Sequence, residues 1–237
     1  SRSDVFSTVS FGQKCALIGE LGVAGRMSQE TLGYEFVHVI PCGIEKGSYT
    51  RAEAVLRGKI VSKDDFVVLW SGGYNAWVDV DTLFKGLETA ISRNRKIKFV
   101  STGGVIDGRN NTVYSRFLDL IENSAHKKHF IMLGWLPRDS LYQAYLESDL
   151  GLNIDKECYE TLLGSRHRLL DWMKAGLPFI TTAPSEFTQL LCNRKLVFRV
   201  DAGNSEMLAR LIVARSKSRW QLKFVSCSYC LIVYRSL

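Results

Sequence analysis

Between residues 65 and 200, short runs of β-branched and aromatic residues alternate with stretches of helical period. That rhythm limits the chain to a few architectures. Strand candidates lie at 66–70, 97–101, 130–134, 150–154, 178–182 and 196–200. Helix candidates separate them at 81–93, 113–124, 139–147, 163–175 and 185–193, and one more follows at 205–214. The strand runs are mostly apolar, as strands buried on both faces are. The expected fold class is therefore α/β, a doubly wound, Rossmann-like parallel sheet.

The segments on either side differ. Residues 5–9 read as a strand, 11–22 as a helix closed by Gly25 and Arg26, and 36–40 as a second strand, after which Pro41-Cys42-Gly43 turns the chain. One β-α-β unit is too small to stand alone, so residues 1–44 are expected to be a remnant of a larger α/β sheet, and the chain a fragment. Residues 45–63 are polar and helix-like and read as a connector. The main α/β unit then covers 64–215. The tail, 216–237, is basic and then rich in cysteine and aromatic residues, without a clean period.

The chain has 46% hydrophobic and 23% charged residues, the balance of a soluble globular protein with an ordinary core. A net charge of +7 suits anionic partners such as nucleotides, diphosphates or an acidic membrane surface. The basic residues are dispersed rather than massed in a run, which argues against nucleic acid. Cys15, Cys42, Cys158 and Cys192 are scattered and expected to be small core residues. Cys227 and Cys230 form a single C-x-x-C without the second pair that a zinc site needs, so no metal is expected. With no secretory signal and no stretch of transmembrane length, the expected location is cytoplasmic.

In an open parallel sheet, ligands bind beyond the carboxyl ends of the strands. After the 66–70 strand comes Ser71-Gly72-Gly73-Tyr74-Asn75-Ala76-Trp77. Its paired glycines would let backbone N–H groups approach a phosphate, or they form a plain tight turn. Neither this loop nor Thr102-Gly103-Gly104 has the dinucleotide spacing, which disfavours an NAD-type oxidoreductase. After the 130–134 strand, Trp135 and Leu136 either line a base pocket or, for Trp135, fill a buried structural position.

The richest stretch runs from Glu160 through Gly164-Ser165-Arg166-His167-Arg168 to Asp171 and then Gly176-Leu177-Pro178. Arg166 falls on or beside the apolar face of the 163–175 helix, where a simple surface helix does not explain it. At a helix start, backbone N–H groups and guanidinium donors together favour an anion such as a diphosphate. Asp171 could accept from ribose hydroxyls. The competing reading is a surface ion-pair set of Arg168, Asp171 and Lys174. Asp107, Asp155 and the four histidines read as isolated.

At this stretch the sequence resembles the retaining nucleotide-sugar glycosyltransferases of the GT-B architecture (group 1, family 4-like). It is most similar to a bacterial subgroup with E-T, R-x-R, L-D-Y/W and A-G-L-P in order. Gly19-Glu20-Leu21, Ile40-Pro41-Cys42-Gly43, Val68-Leu69-Trp70-Ser71-Gly72-Gly73, and Leu133-Gly134-Trp135-Leu136-Pro137 fit the same pattern, over about residues 4–205. The resemblance implies that 64–215 is the C-terminal, nucleotide-sugar-binding domain and 1–44 part of the N-terminal, acceptor-side domain. It implies transfer of a sugar with retention and without metal or other cofactor. The acceptor would be a glycan or lipid-linked molecule, as in polysaccharide biosynthesis, with peripheral membrane contact.

By the same resemblance, Asp171 takes the place of the ribose-binding carboxylate, Arg166 and Arg168 neutralise the diphosphate, and Gly72 and Gly73 face the phosphates. Asn75, Trp77, Trp135, Leu136 and Ser165 complete the donor site, and Glu160 approaches the sugar hydroxyls. Glu160 and Arg166 are the catalytic candidates. Common members carry two glutamates separated by seven residues; here Asp171 holds the second place and Leu163 the first. The usual Arg and Lys of the first glycine loop are missing. Two alternatives remain: a nucleotide-sugar epimerase of the same fold, and a non-catalytic nucleotide-sugar-binding module.

Overall fold

The structure, a computed structural model, describes residues 4–108 and 110–217. Its centre is a six-stranded sheet, parallel throughout. The strands are β3 (Phe66–Ser71), β4 (Ile97–Thr102), β5 (Phe130–Met132), β6 (Leu150–Asn153), β7 (Phe179–Thr181) and β8 (Phe198–Arg199). They run in the order β5-β4-β3-β6-β7-β8. The order reverses between β3 and β6, and such a switch point is where open α/β sheets form their ligand crevice.

Every strand expected from apolar runs is present, shorter or longer by one to three residues. For the central strands β3, β4, β6 and β7, burial on both faces is the reason. Val68, Trp70 and Phe99 point into one core with α2 (Val80–Arg93), α3 (Thr112–Glu122) and α8 (Ser205–Lys217). Val67, Leu69 and Val100 point into the other with α4 (Arg138–Glu147), α6 (His167–Ala175) and α7 (Glu186–Asn193). Contacts between sheet and helix are close: a methyl group on Gly151 would stand 2.8 Å from the Trp172 ring. Gly176, left-handed at φ 71°, ends α6 as its position suggested.

Ahead of this sheet, β1 (Phe6–Thr8) and β2 (Val37–Val39) pair in parallel around α1 (Phe11–Val23). Leu21, Phe36 and Val37 form a small core there. Ser10 Oγ donates to the Leu163 carbonyl at 2.9 Å, and the Phe11 N–H donates to Glu186 Oε2 at 2.9 Å, tying the two sheets' loops together.

Three expectations are corrected. The 45–63 connector is not helical. Glu147, from α4, accepts the N–H groups of Val55, Leu56 and Arg57 at 2.8, 3.0 and 2.6 Å, so backbone donors are satisfied by a distant carboxylate instead of by helical carbonyls. The helix expected at 163–175 begins only at His167, as α6: Leu163 closes a separate short helix, α5 (Tyr159–Leu163), and Gly164-Ser165-Arg166 break the two apart. Finally, Cys15 is exposed and Cys42, Cys158 and Cys192 are half-buried free thiols, so none is a core residue. The C-x-x-C of Cys227 and Cys230 and most of the 216–237 tail lie outside the described residues.

Candidate functional site

The site lies at the switch point. The loops after β3 and β6 are joined there by a bridge between Val78 and Asp155 and by the Lys156 N–H donating to the Trp77 carbonyl at 2.8 Å. Gly72 adopts φ 102°, open to glycine and strained for other residues. A methyl group on Gly103 would stand 2.0 Å from the Gly72 carbonyl oxygen, and one on Gly73 would stand 2.3 Å from Ile106 Cδ1. Glycines on adjacent strands therefore let two loops close on each other. The side of Gly73 where a side chain would stand is filled by Ile106. Gly72 alone of the pair turns toward a guanidinium: a methyl group there would lie 3.7 Å from Arg168 Cζ.

Both arginines turn inward at the switch point, for different local reasons. Arg166 is the N-cap of α6, with extended backbone (φ −105°, ψ 96°), and not a residue of its first turn. The break in the helix swings its side chain inward. Nε donates to Asp155 Oδ2 at 2.8 Å, and the guanidinium lies 5.2 Å from the centre of the Trp77 ring. Arg168, within α6, sets its guanidinium 4.5 Å over the Trp70 ring. Burial pushes the Arg168 guanidinium below its usual range; Asp155 opposes that shift and Arg166 adds to it.

Asp155 is fully buried. Besides Arg166, it accepts from Asn153 Nδ2 at 3.2 Å, and its backbone N–H donates to Thr182 Oγ1 at 3.0 Å. Asn153 also reaches Thr181 Oγ1 at 3.3 Å. These polar groups cap the ends of β6 and β7. Among the described residues, Arg166 Nη2, Arg168 Nη1 and Trp77 Nε1 are buried donors with no protein partner. A buried donor left unpaired costs roughly 1–3 kcal/mol, more when charged. Three such donors at one switch point suit an oxyanion ligand with several acceptors.

The remaining candidates are spread around this centre. Ser165 lines a cavity of about 270 Å³ whose walls include Ser10, Phe11, Pro41, Cys42 and Leu170. Gly164 lines the same cavity and borders Arg166, since a methyl group on it would stand 3.0 Å from Arg166 Nη1. Asn75 is half-buried, and its carbonyl accepts from the Val78 N–H at 3.0 Å. Glu160 is exposed in α5, its carboxyl held below the usual range by hydrogen bonds with its own backbone and Cys158.

Leu136 packs at the edge of the core that holds α4 and α6. Trp135 is 58% exposed and its Nε1 donates to the Val105 carbonyl at 2.6 Å, so the buried structural reading is overturned. The surface ion-pair reading also fails. Arg168 turns inward, Asp171 Oδ1 accepts from the Tyr49 hydroxyl at 2.8 Å, and Lys174 lies over the Tyr49 ring.

Sequence reasoning missed Asp155, Asn153, Thr181, Thr182 and Tyr49. One signal was present for Asp155: a charged residue directly after an apolar strand, in the same chain as an arginine with no place on a surface helix.

No family model matches the sequence, and no curated protein matches it. Solved structures do. A point mutant of S. aureus TarM, in complex with fondaparinux, α-GlcNAc-glycerol and UDP, superposes with a TM-score of 0.62 at 11% identity. The match covers 98% of this chain and 43% of that one. HepE from Anabaena, with UDP and glucose, gives 0.67 at 15% identity over 98% and 59%. The C-terminal domain of the glycosyl transferase group 1 family protein LpcC from Francisella tularensis gives 0.60 at 12% identity, over 82% of this chain and 97% of that domain. The chain thus spans about half the length of TarM and HepE. The shared property at these identities is the fold, and this chain has the Rossmann-like parallel α/β fold of the GT-B glycosyltransferases.

Proposed function

We propose that this chain is the donor-binding part of a glycosyltransferase. It grips a nucleoside-diphosphate sugar and serves transfer of the sugar, with retention and without metal, to a glycan or lipid-linked acceptor. One observation carries the reading: the Arg166 and Arg168 guanidinium groups both turn inward at the sheet's switch point, each with a buried donor left unpaired.

The chemistry follows from that charge. As the bond from sugar to phosphate breaks, negative charge grows on the departing diphosphate. Donors already fixed and partly desolvated stabilise that charge without reorganising. Two guanidinium groups supply what a metal ion would. The Gly72 backbone approaches the phosphates, Trp77 and Asn75 close the loop beside them, and Ser165 adds a hydroxyl. Asp171 accepts from the ribose, Trp135 and Leu136 edge the base, and Glu160 serves the sugar hydroxyls. In this reading 64–215 is the donor unit, 45–63 the connector and 1–44 the acceptor-side unit. The basic surface favours peripheral contact with the cytoplasmic face of a membrane.

HepE is solved with UDP and glucose, which makes UDP-sugars the first donors to try. Calorimetry with UDP-, GDP-, dTDP- and ADP-sugars tests the proposal. Binding of at least one is expected, and a folded sample that binds none contradicts it. One observation favours the non-catalytic alternative: Leu163 stands where related enzymes carry an acid, and Glu160 is solvent-exposed. Full-length protein that binds donor yet neither hydrolyses nor transfers its sugar would establish that alternative.

A further inference from the structure

We propose that Tyr49, in the connector, is a positioning residue for Asp171, through which the site tells ribose from deoxyribose. The proposal rests on the reading of Asp171 as the ribose carboxylate. Asp171 sits in the second turn of α6, three residues before Lys174, a spacing at which a helical carboxylate and ammonium pair. Among the described residues they form no ion pair. Tyr49 engages both instead: its hydroxyl donates to Asp171 Oδ1 at 2.8 Å, and Lys174 Nζ lies 4.5 Å from the centre of its ring.

The tyrosine is itself fixed. Its ring stacks on Tyr142 of α4, with centroids 4.1 Å apart and planes 22° from parallel. On either side, Arg138 pairs with Glu45 at 2.8 Å and the Ala52 N–H donates to Gln143 Oε1 at 2.7 Å, so the segment is tied along α4. One connector residue thus holds the aspartate by one oxygen and draws its helical lysine away. Asp171 Oδ2 is left to accept from a vicinal hydroxyl pair.

Tyr49→Phe keeps the ring, the stack and the lysine contact and removes only the hydroxyl. The readout is the ratio of dissociation constants for UDP and 2′-deoxy-UDP, measured by calorimetry on the whole chain with folding checked by thermal melting. The unaltered chain should prefer UDP by about tenfold, the scale of one hydrogen bond to a charged group. In Tyr49→Phe the preference should fall below about threefold, while 2′-deoxy-UDP affinity stays within about twofold. A merely structural role would weaken both nucleotides alike, and that result overturns the proposal. So does an unchanged preference, or tighter UDP binding from release of Asp171. Asp171→Asn separates the two levels: if it abolishes the preference while Tyr49→Phe keeps it, only the role of Tyr49 fails. If Asp171→Asn keeps the preference, the ribose reading of Asp171 fails and the role of Tyr49 with it.

Discussion

Arg166 Nε donates to Asp155 Oδ2 over 2.8 Å, joining the residue that starts α6 to the end of β6. Asp155 is fully buried and Arg166 is 9% exposed. The pair fixes one guanidinium by its Nε edge and leaves Nη2 buried without a protein partner. Trp77 packs over the same group. A charge so held is costly to desolvate, and it is preorganised for an anion.

Removing the acid should therefore destabilise the fold. Asp155→Ala strands the buried Arg166 charge and should cost about 3–5 kcal/mol, read from the urea midpoint. Asp155→Asn keeps an acceptor and should lose less. Equal, small losses in both would mean that the pair does not hold the switch point together.

Loop-on-loop packing predicts a contrast between two glycines. Gly103→Ala forces a methyl group to 2.0 Å from the Gly72 carbonyl oxygen and should destabilise by roughly 3 kcal/mol or more. Gly19, in α1, has no neighbour within 4 Å of that position. Gly19→Ala should be neutral, or stabilising by up to about 1 kcal/mol through helix propensity. Thermal melts of the two variants check both signs.

Buried phenols set the alkaline limit. Burial is the leading cause that pushes the Tyr145 hydroxyl up to about 12, and it raises Tyr49 and Tyr74 further. Their folded-state values exceed the unfolded one. Their stabilisation is therefore complete below about pH 10, the ordinary tyrosine value, and is lost as pH rises through the folded values. Denaturation midpoints should fall steadily from pH 10 to about pH 12, and a flat profile would contradict the assignment.

Arg168 should trade stability against binding. Burial disfavours its charge, and its Nη1 has no partner among the described residues. Arg168→Met removes a desolvated cation and keeps an apolar stem over Trp70. The fold should be equally stable or more so, while UDP affinity drops about tenfold or more. Loss of both together would mark Arg168 as a structural residue.

The sheet was legible because its central strands, buried on two faces, read as mostly apolar runs, such as Phe66-Val67-Val68-Leu69-Trp70. The break before α6 was not: Leu162, Leu169 and Leu170 carry an apolar pattern across Gly164-Ser165, so one long helix fitted the period. Arg166 signalled the site, because no surface helix explains it. Its partner did not, since Asp155 lies eleven residues away across a loop. The connector misread as helical for a similar reason. Its N–H groups are satisfied by Glu147, about ninety residues on, and local pattern carries no trace of so distant an acceptor. Cysteine content gave no position either: small apolar character allows burial without requiring it.

The central claim is that the switch-point guanidinium groups capture a diphosphate. It is tested most directly by titrating one folded sample with UDP and with uridine in a calorimeter. UDP should bind at least about a hundredfold tighter, as two charge-assisted hydrogen bonds allow, and the margin should shrink about tenfold or more in Arg168→Met. Equal affinities for UDP and uridine, or a margin left unchanged in Arg168→Met, would contradict the account.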